Sequence, residues 1–279
     1  MILGPDDVEF LGDFKLDHPE GLCVADDGTV FCGGEAGQIY RIETDGTWKE
    51  FANTGGFILG MALDGQGNLH CCDMGLNSVV KIDMDGVVTD RAGGAPGDDF
   101  LVPNYPAFDA AGNLYVSSSG DYWDETGTGK IMRIAPDNTC DVFHDGPFRF
   151  TNGVAVDPAS EYLYVIQSSI GNVVRIPLSE PNGEMEVIWD LPENVVPDGL
   201  AICDDGSMVI SCYRPDIVYL GKPDGTVEVL VEDVTAELLM RPTNCALHDG
   251  KLYLANLGGW HICVLNTDLK AAPLHKPSL

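Results

Sequence analysis

The feature that most constrains the fold of this chain is an internal repeat running through nearly all of its 279 residues. Three segments align directly, each with an alternating apolar run, an acidic residue and a glycine turn: EGLCVADDGTVF (20–31), LGMALDGQGNLH (59–70) and NYPAFDAAGNLY (104–115). Three more continue the pattern: NGVAVDPASEYLYV (152–165), DGLAICDDGSMVI (198–210) and NCALHDGKLYL (244–254). The repeats start at residues 20, 59, 104, 152, 198 and 244, so the spacings are 39, 45, 48, 46 and 46 residues. Six such units fill the chain, which predicts one domain over residues 1–279.

Each repeat contains segments with the period-two alternation of β-strands, separated by turn sequences such as Asp45-Gly46 and Asp224-Gly225. Four antiparallel strands in about 40 to 50 residues are typical of one blade of a β-propeller. The sequence therefore predicts an all-β, six-bladed β-propeller with four strands in each blade. The sixth repeat lacks a convincing fourth strand, whereas VEFLGDF (8–14) precedes the first repeat. We expect this N-terminal strand to complete the last blade and close the ring.

The charge of the chain excludes some partners. It has 15 Lys and Arg against 44 Asp and Glu, a formal net charge of −29, which repels phosphate backbones and anionic membranes and favours a cation. No segment approaches the roughly 20 apolar residues of a membrane span, and MILGPDDVEF lacks the features of a signal peptide. The nine cysteines are odd in number and form no C-x-x-C pair, which favours reduced thiols. We expect a soluble, cytoplasmic protein with no nucleic-acid or membrane partner.

The repeat starts carry a pattern of polar side chains. The first strand of each propeller blade lies nearest the central channel, so equivalent positions form a ring around one axis. The residues at these positions are Glu20, Leu59, Asn104, Asn152, Asp198 and Asn244. One Asn or Asp at a strand start is usually a turn former, but five polar residues in one ring would be costly to bury without a partner. Two carboxylates and two or three amide oxygens match the oxygen ligands that Ca²⁺ prefers, which predicts one divalent cation here. An oxygen-rich site leaves Zn²⁺, Mn²⁺, Mg²⁺ and Fe²⁺ open as alternatives to Ca²⁺.

Four segments also carry a family resemblance. HPEG (18–21), VPNYPAFDAAGNLYVSS (102–118), FTNGVAVDP (150–158) and VPDGLAICDDGSMVISC (196–212) resemble the senescence marker protein (regucalcin)/gluconolactonase family, whose propeller relatives include diisopropyl fluorophosphatase and the paraoxonases. The resemblance covers essentially the whole chain. It implies metal ligands at Glu20, Asn152 and Asp198, with Asn104 either ligating the metal or contacting substrate. Asn244 matches no ligand of the family and is a candidate substrate contact.

The resemblance implies a gluconolactonase-like lactonase or esterase, in which the metal polarises the carbonyl of a cyclic ester and water attacks it. We expect Asp198 to act as the general base, because a ligand carboxylate with one free oxygen can reach both metal and water. Glu20, the second carboxylate of the catalytic pair, would mainly neutralise the cation. Direct nucleophilic attack by Asp198 stays open.

Substrate contacts are expected from loops and aromatic residues around the channel mouth. The segment SSSGDYWDETGTGK (117–130) is the longest interruption of the repeat, and it forms either a lid or a solvated hairpin. The candidates are Tyr105, Tyr122, Trp123, Phe150, Tyr213, Trp260 and His261, with His18 as a second possible proton shuttle. Each of them could instead pack between blades. Sugar-lactone members of the family often carry an Arg and an Asp around the Asn of blade three, whereas this chain reads Val102-Pro103-Asn104-Tyr105. The missing charge favours a less polar lactone or ester.

Other functions fit the same pattern. The metal pocket could perform organophosphate hydrolysis, or a lyase or isomerase step on another small molecule. A non-catalytic propeller that binds Ca²⁺ is the alternative from another class, but it has no evident need for Glu20, Asn152 and Asp198 on one axis. The sequence leaves both the substrate and the oligomeric state open, and we expect a monomer or a weak dimer.

Overall fold

The computed structural model of the chain describes residues 1–279, and its strands form six four-stranded antiparallel sheets. The first three sheets contain Leu22–Val24, Val30–Gly33, Gln38–Ile42 and Trp48–Asn53 in blade 1; Ile58–Leu63, Leu69–Asp73, Ser78–Ile82 and Val88–Ala92 in blade 2; and Pro103–Phe108, Leu114–Ser118, Gly129–Ile134 and Cys140–Phe148 in blade 3. The others contain Thr151–Val156, Tyr162–Gln167, Asn172–Pro177 and Glu186–Asp190 in blade 4; Val196–Ile202, Met208–Arg214, Ile217–Gly221 and Val227–Glu232 in blade 5; and Pro242–His248, Lys251–Asn256, Ile262–Asn266 and Glu9–Leu11 in blade 6. The first strand of each blade contacts the first strand of both neighbouring blades, so the six sheets form a closed ring. The predicted six-bladed propeller is confirmed.

The N-terminal strand closes this ring. Glu9–Leu11 is the outer strand of blade 6 and pairs antiparallel with Ile262–Asn266, with Phe10 opposite Cys263. The two ends of the repeat are thereby held in one sheet, as the orphan strand before the first repeat predicts. Two small elements lie outside the blades, a 3₁₀ turn at Pro5–Asp7 and a hairpin formed by Gly94–Ala95 and Asp98–Asp99.

The core consists of apolar layers between successive blades. The second strands Leu69–Asp73 and Leu114–Ser118 are buried along their whole length, because a blade covers each of their faces. The outer strands, such as Trp48–Asn53, are largely exposed and carry the charged residues. All nine cysteines are free and seven of them are buried, so they pack as small apolar side chains. No helix in the structure has the length and apolar character needed to cross a membrane.

The central channel has two different ends. We call the face on which the inner strands begin the upper face, and the opposite one the lower face. At the lower face the C-terminal tail crosses the channel: Ala272 N–H donates to Ile202 O at 2.9 Å, and Gly65 N–H donates to Pro277 O at 2.8 Å. Between the tail and the upper end, 24 residues line the channel and 21 of them are hydrophobic. The basic residues of this lining, His275 and Lys276, belong to the tail, so the channel wall formed by the inner strands is apolar below the upper end.

Candidate metal centre

Equivalent side chains from five blades meet at the upper end of the channel. Each lies two residues before an inner-strand residue that pairs in register with the second strand, for example Val154 with Val165 and Leu200 with Ile210. By this register the equivalent residues, which we call the ring positions, are Glu20, Leu59, Asn104, Asn152 and Asp198. The structure thus brings together the four residues for which the sequence predicts metal ligation.

In blade 6 the ring position belongs to Thr243 rather than to Asn244. Cys245 pairs with Leu254, which places Thr243 two residues before the in-register pair. Asn244 therefore occupies the next position, which is glycine in four of the other blades. The repeat start predicted at residue 244 is displaced by one residue in the structure. Asn244 still reaches the site, because its Nδ2 lies 3.5 Å from Glu20 Oε2.

Backbone irregularities turn the ring side chains toward the axis. In blades 2 to 6 the pairing between the first and second strands shifts register at the ring position, between Thr151 and Val154 in blade 4 and between Pro197 and Gly199 in blade 5. An extra residue in one strand bends that strand and re-aims its side chain, and such bulges are common beside functional sites. The repeated shift explains how a polar residue can leave the apolar layer between two blades.

The glycine that follows the ring position in blades 1, 2, 4 and 5 allows neighbouring inner strands to approach closely. A Cβ on Gly21 would lie 1.7 Å from Leu59 O, and one on Gly153 would lie 2.5 Å from Asp198 O. Both obstacles are backbone atoms of the next blade, which cannot move without displacing the ring position itself. These glycines therefore set the diameter of the ring.

We expect Gly21→Ala to destabilise the protein by about 1–3 kcal/mol, because the added methyl overpacks the contact between blades 1 and 2. The midpoint of thermal unfolding, measured by circular dichroism, should fall by about 2–4 °C for each kcal/mol. Gly93→Ala is the matched control, since a Cβ at Gly93 meets nothing within 4 Å. Equal midpoints for the two variants would contradict the close approach.

The ring holds an unusual set of buried oxygen atoms without hydrogen-bond partners. They are Asn104 Oδ1, Asn152 Oδ1, Asp198 Oδ1 and Asn244 Oδ1. Leaving four such acceptors unsatisfied would cost several kcal/mol, because buried polar groups in folded proteins are nearly always paired. Unpartnered amide and carboxylate oxygens at one end of the channel are the type of ligand that a hard divalent cation such as Ca²⁺ prefers. The residues that would hold the cation are Glu20, Asn104, Asn152 and Asp198, with Asn244 beside Glu20.

The hydrogen bonds around Asn152 orient its amide. Asn152 Nδ2 donates to Ser168 Oγ at 3.2 Å, and Ser168 Oγ donates to Pro197 O at 2.6 Å. Because the nitrogen is held on this side, Oδ1 faces away from Ser168 and has no partner. Ser168 thus positions one predicted ligand. The sequence analysis did not single out Ser168, which follows the second strand of blade 4 in an unremarkable turn sequence.

The two carboxylates of the ring lack basic partners. Neither Glu20 nor Asp198 takes part in any ion pair of the structure. Burial raises the pKa of Glu20 well above its usual value, and the nearby charge of Asp198 raises it further. Burial also raises the pKa of Asp198 to about 7, although a hydrogen bond from the Asn152 side chain acts to lower it. A cation between the carboxylates would remove the cost of ionising both of them.

Two of the predicted substrate contacts lie away from the upper pocket. Tyr105 is buried and lines the apolar channel, at the position that is glycine in the neighbouring blades. His261 is fully buried between Phe10 and Phe14, with its Nε2 3.0 Å from Leu238 O. In these places Tyr105 forms part of the channel wall, and His261 packs blade 6 against the N-terminal segment.

The remaining candidates lie on the upper face. The Tyr122 ring is 5.0 Å from Trp123 and 5.2 Å from Phe150, so the three form one aromatic group between the 117–130 segment and blade 4. Trp123 is 83% exposed, which makes it the most exposed large apolar side chain of the chain. Trp260 lies 5.4 Å from His18, and this pair forms a second group on blades 6 and 1.

Tyr213 is held by a residue that the sequence analysis missed. Its hydroxyl accepts a hydrogen bond from Arg241 Nη1 at 2.7 Å. The sequence does contain a pattern that identifies the equivalent residues of blade 6. A proline precedes the ring position in HPE, VPN and VPD, and the same proline occurs in RPT (241–243). Alignment on this proline identifies Thr243 as the ring residue and Arg241 as the equivalent of His18.

Solved structures with the same fold cover nearly the whole chain. A gluconolactonase from Xanthomonas campestris is 19% identical, with a TM-score of 0.77 and coverage of 92% of this chain and 87% of that one. A calcium-binding protein, regucalcin, from Agrobacterium tumefaciens is 16% identical, with a TM-score of 0.79 and 97% coverage of both chains. Virginiamycin B lyase from Staphylococcus aureus is 13% identical, with a TM-score of 0.68 and coverage of 93% and 98%. Similarity at these identities establishes the fold and leaves the reaction open.

Sequence comparison identifies the family. No curated protein sequence matches the chain at a significant level. The family model described as the SMP-30/Gluconolactonase/LRE-like region matches residues 95–257. This segment holds four of the ring positions, Asn104, Asn152, Asp198 and Thr243. Because the match spans more than half of the chain, the protein belongs to the SMP-30/gluconolactonase/LRE-like family.

Proposed function

We propose that the protein is a divalent-metal-dependent hydrolase that opens a lactone or a related ester. The observation that carries this proposal is a set of four unpartnered buried oxygens, three from amides and one from Asp198, together with the second carboxylate, Glu20, which also has no basic partner. A purely structural propeller gains nothing from these groups. The names of two structural neighbours, a gluconolactonase and a calcium-binding regucalcin, favour the same reaction class and favour Ca²⁺.

A bound divalent cation would supply Lewis acidity toward the ester carbonyl and a counter-charge for the oxyanion. The residues of the chain perform the proton transfers. Asp198 accepts a proton from the attacking water through the carboxylate oxygen that the cation leaves free, because no basic residue of the protein neutralises this carboxylate. The bond from the carbonyl carbon to the ring oxygen then breaks, and the leaving alkoxide takes up a proton to give the hydroxy acid.

Glu20 and the amides position the reacting groups. Glu20 Oε2 lies near Asn244 Nδ2, and its burial keeps it out of direct exchange with solvent. The Asn152 amide is fixed by Ser168, so its oxygen stays directed into the site. The aromatic group of Tyr122, Trp123 and Phe150 lies on the same face and would contact an apolar part of the substrate. The proposed partner is therefore a small molecule that enters from the upper face.

Metal binding can be tested without a known substrate. We expect CaCl₂ added to chelator-treated protein to stabilise it by about 2.7 kcal/mol at a hundredfold excess over the dissociation constant. Glu20→Gln should lose most of this stabilisation, because the site then has one carboxylate instead of two. Glu193→Gln, an exposed change on an upper loop, should retain it. Differential scanning calorimetry measures both.

Activity is tested by screening aromatic and aliphatic lactones with chelated and Ca²⁺-reloaded protein. The proposal predicts hydrolysis that chelator abolishes and that Ca²⁺ or another divalent ion restores. Ca²⁺-dependent stabilisation with no hydrolysis of any lactone or ester would support the non-catalytic alternative. Hydrolysis that is unaffected by chelator would exclude the metal-dependent mechanism.

A further inference from the structure

The residues two positions before the ring form a second layer above the site. By the same register this rim consists of His18, Phe57, Val102, Phe150, Val196 and Arg241. Four of them have left-handed backbone conformations, with φ of 45° at His18, 64° at Val102, 61° at Phe150 and 63° at Arg241. Side chains other than glycine rarely adopt this conformation, and it persists where the surrounding structure imposes it. The fold therefore holds the rim residues in fixed positions at the mouth of the site.

Arg241 is the one arginine or lysine of the rim. Its Nη1 donates to Tyr213 Oη at 2.7 Å, and its guanidinium carbon lies 5.2 Å from the centre of the Tyr213 ring. Its backbone N–H donates to Asp216 Oδ1 at 2.6 Å, which anchors the chain at this point. The side chain is thus oriented through one of its nitrogens, and its other donors stay available to a ligand.

The absence of a carboxylate partner at Arg241 is notable in so acidic a chain. Arg41, Arg133 and Arg175, on the outer parts of the blades, each form an ion pair with an Asp or Glu. The Arg241 guanidinium forms no ion pair, since Asp216 is held by the backbone N–H of Arg241, and the side chains of Arg149 and Arg214, which also lie on the upper face, form none either. Of the four arginines without an ion pair, three therefore lie on the face that carries the proposed active site, in a chain with a net charge of −29, and the fourth, Arg91, is buried beside His70 and Phe108.

We propose that Arg241, oriented by Tyr213, binds a carboxylate carried by the substrate, so that the natural substrate is an anionic lactone or ester. This inference rests on the proposed function. A guanidinium binds a planar carboxylate through two parallel hydrogen bonds, and it stays charged at all relevant pH values. Two residues of extended chain span about 7 Å, so the carboxylate would lie only a few bonds from the ester carbonyl at the ring. The apolar rim residues Phe57, Val102, Phe150 and Val196 would contact the rest of the molecule.

The proposed anionic substrate differs from the sequence-based expectation of a less polar lactone or ester. That expectation followed from Val102, which leaves the rim of blade 3 without charge. The structure shows that the rim position of blade 6 carries the charge instead. Because blades 3 and 6 lie opposite each other in the ring, a substrate anion bound at Arg241 would lie across the axis from Val102.

The test uses two probes, a γ-butyrolactone with a carboxylate side chain and the same lactone with that group as its primary amide. We expect the wild-type protein to hydrolyse the carboxylate probe with the lower KM. Arg241→Gln should raise that KM about tenfold to a hundredfold and leave kcat and the amide probe nearly unchanged, because the lost contact is equal in ground and transition states. Tyr213→Phe should give a smaller rise in KM. Arg133→Gln, which removes an arginine from the third strand of blade 3, is the control and should match the wild type.

Failure of this inference and failure of the proposed function give different results. Suppose that both probes are hydrolysed and that the ratio of their KM values is the same for the wild type and Arg241→Gln. This result would overturn the carboxylate site and leave the proposed hydrolase function intact. If neither probe is hydrolysed, binding of the carboxylate probe to Ca²⁺-loaded protein is measured by calorimetry. Tighter binding to wild type than to Arg241→Gln would then support the anion site without the hydrolase, and equal binding would overturn both.

Discussion

Asp198→Asn is expected to lower kcat for the best lactone substrate by about a hundredfold to ten-thousandfold, the usual contribution of a general base. The amide has nearly the shape of the carboxylate, so the ring should keep its geometry, but it cannot accept a proton from water. The change also removes one of the two negative charges that favour a cation. The kinetic comparison is therefore made at metal concentrations that saturate each variant, after calorimetry has measured the metal affinity of each.

The control for this experiment is Asp204→Asn, which changes an exposed carboxylate on the lower face and should leave kcat unchanged. A second measurement separates the two roles open to Asp198. In a single turnover in H₂¹⁸O, a general base leaves the label in the product acid, whereas a nucleophile brings it into the Asp198 carboxylate. We expect labelled product and an unlabelled Asp198 peptide by mass spectrometry. Asp198→Asn with undiminished kcat at saturating metal would exclude both roles.

The repeat was sufficient to predict the fold and most of the ring. The spacing of the repeat predicts six blades, and alignment of the repeat starts places Glu20, Asn104, Asn152 and Asp198 at equivalent positions, as the strand register confirms. The alignment fails by one residue in blade 6. In blade 6 the turn before the second strand is shorter than in the other blades. Alignment by residue type therefore pairs Asn244 with the asparagines of blades 3 and 4, whereas alignment by the preceding proline pairs Thr243 with them.

The burial and the contacts of individual side chains were harder to predict from the sequence. His261 and Trp260 are adjacent in the chain, yet His261 is fully buried while Trp260 is exposed at the rim beside His18. Both residues lie in the turn before the strand Ile262–Asn266, where no period-two alternation indicates which side chain is buried. The absence of an ion pair at Arg241 depends on the arrangement of several blades, so it cannot be predicted from the residues next to Arg241 in the sequence.

The pH dependence of the metal-free protein gives the second large effect. The pKa of Asp198 is about 7 in the folded protein, against its ordinary value of 3.8. Below about pH 4 the group is protonated in both folded and unfolded chains. As the pH rises from about 4 to 7 the unfolded chain loses this proton while the folded chain retains it, so the free energy of unfolding falls. For one buried carboxyl the fall amounts to at most about 4 kcal/mol, and the raised pKa of Glu20 adds a change of the same sign.

Thermal unfolding of chelator-treated protein between pH 4 and 8 measures this fall. Asp198→Asn is the matched variant, because it carries every other carboxylate of the chain and lacks only the group in question. We expect the wild type to lose stability relative to Asp198→Asn as the pH rises toward 7, and saturating Ca²⁺ to remove most of that relative loss. Parallel curves for the two metal-free proteins would show that Asp198 ionises freely in the fold. Because the cation must displace the bound protons, calorimetry near pH 6 in buffers of different ionisation enthalpy should also detect proton release on Ca²⁺ binding, and the affinity should rise with pH until both carboxylates are ionised.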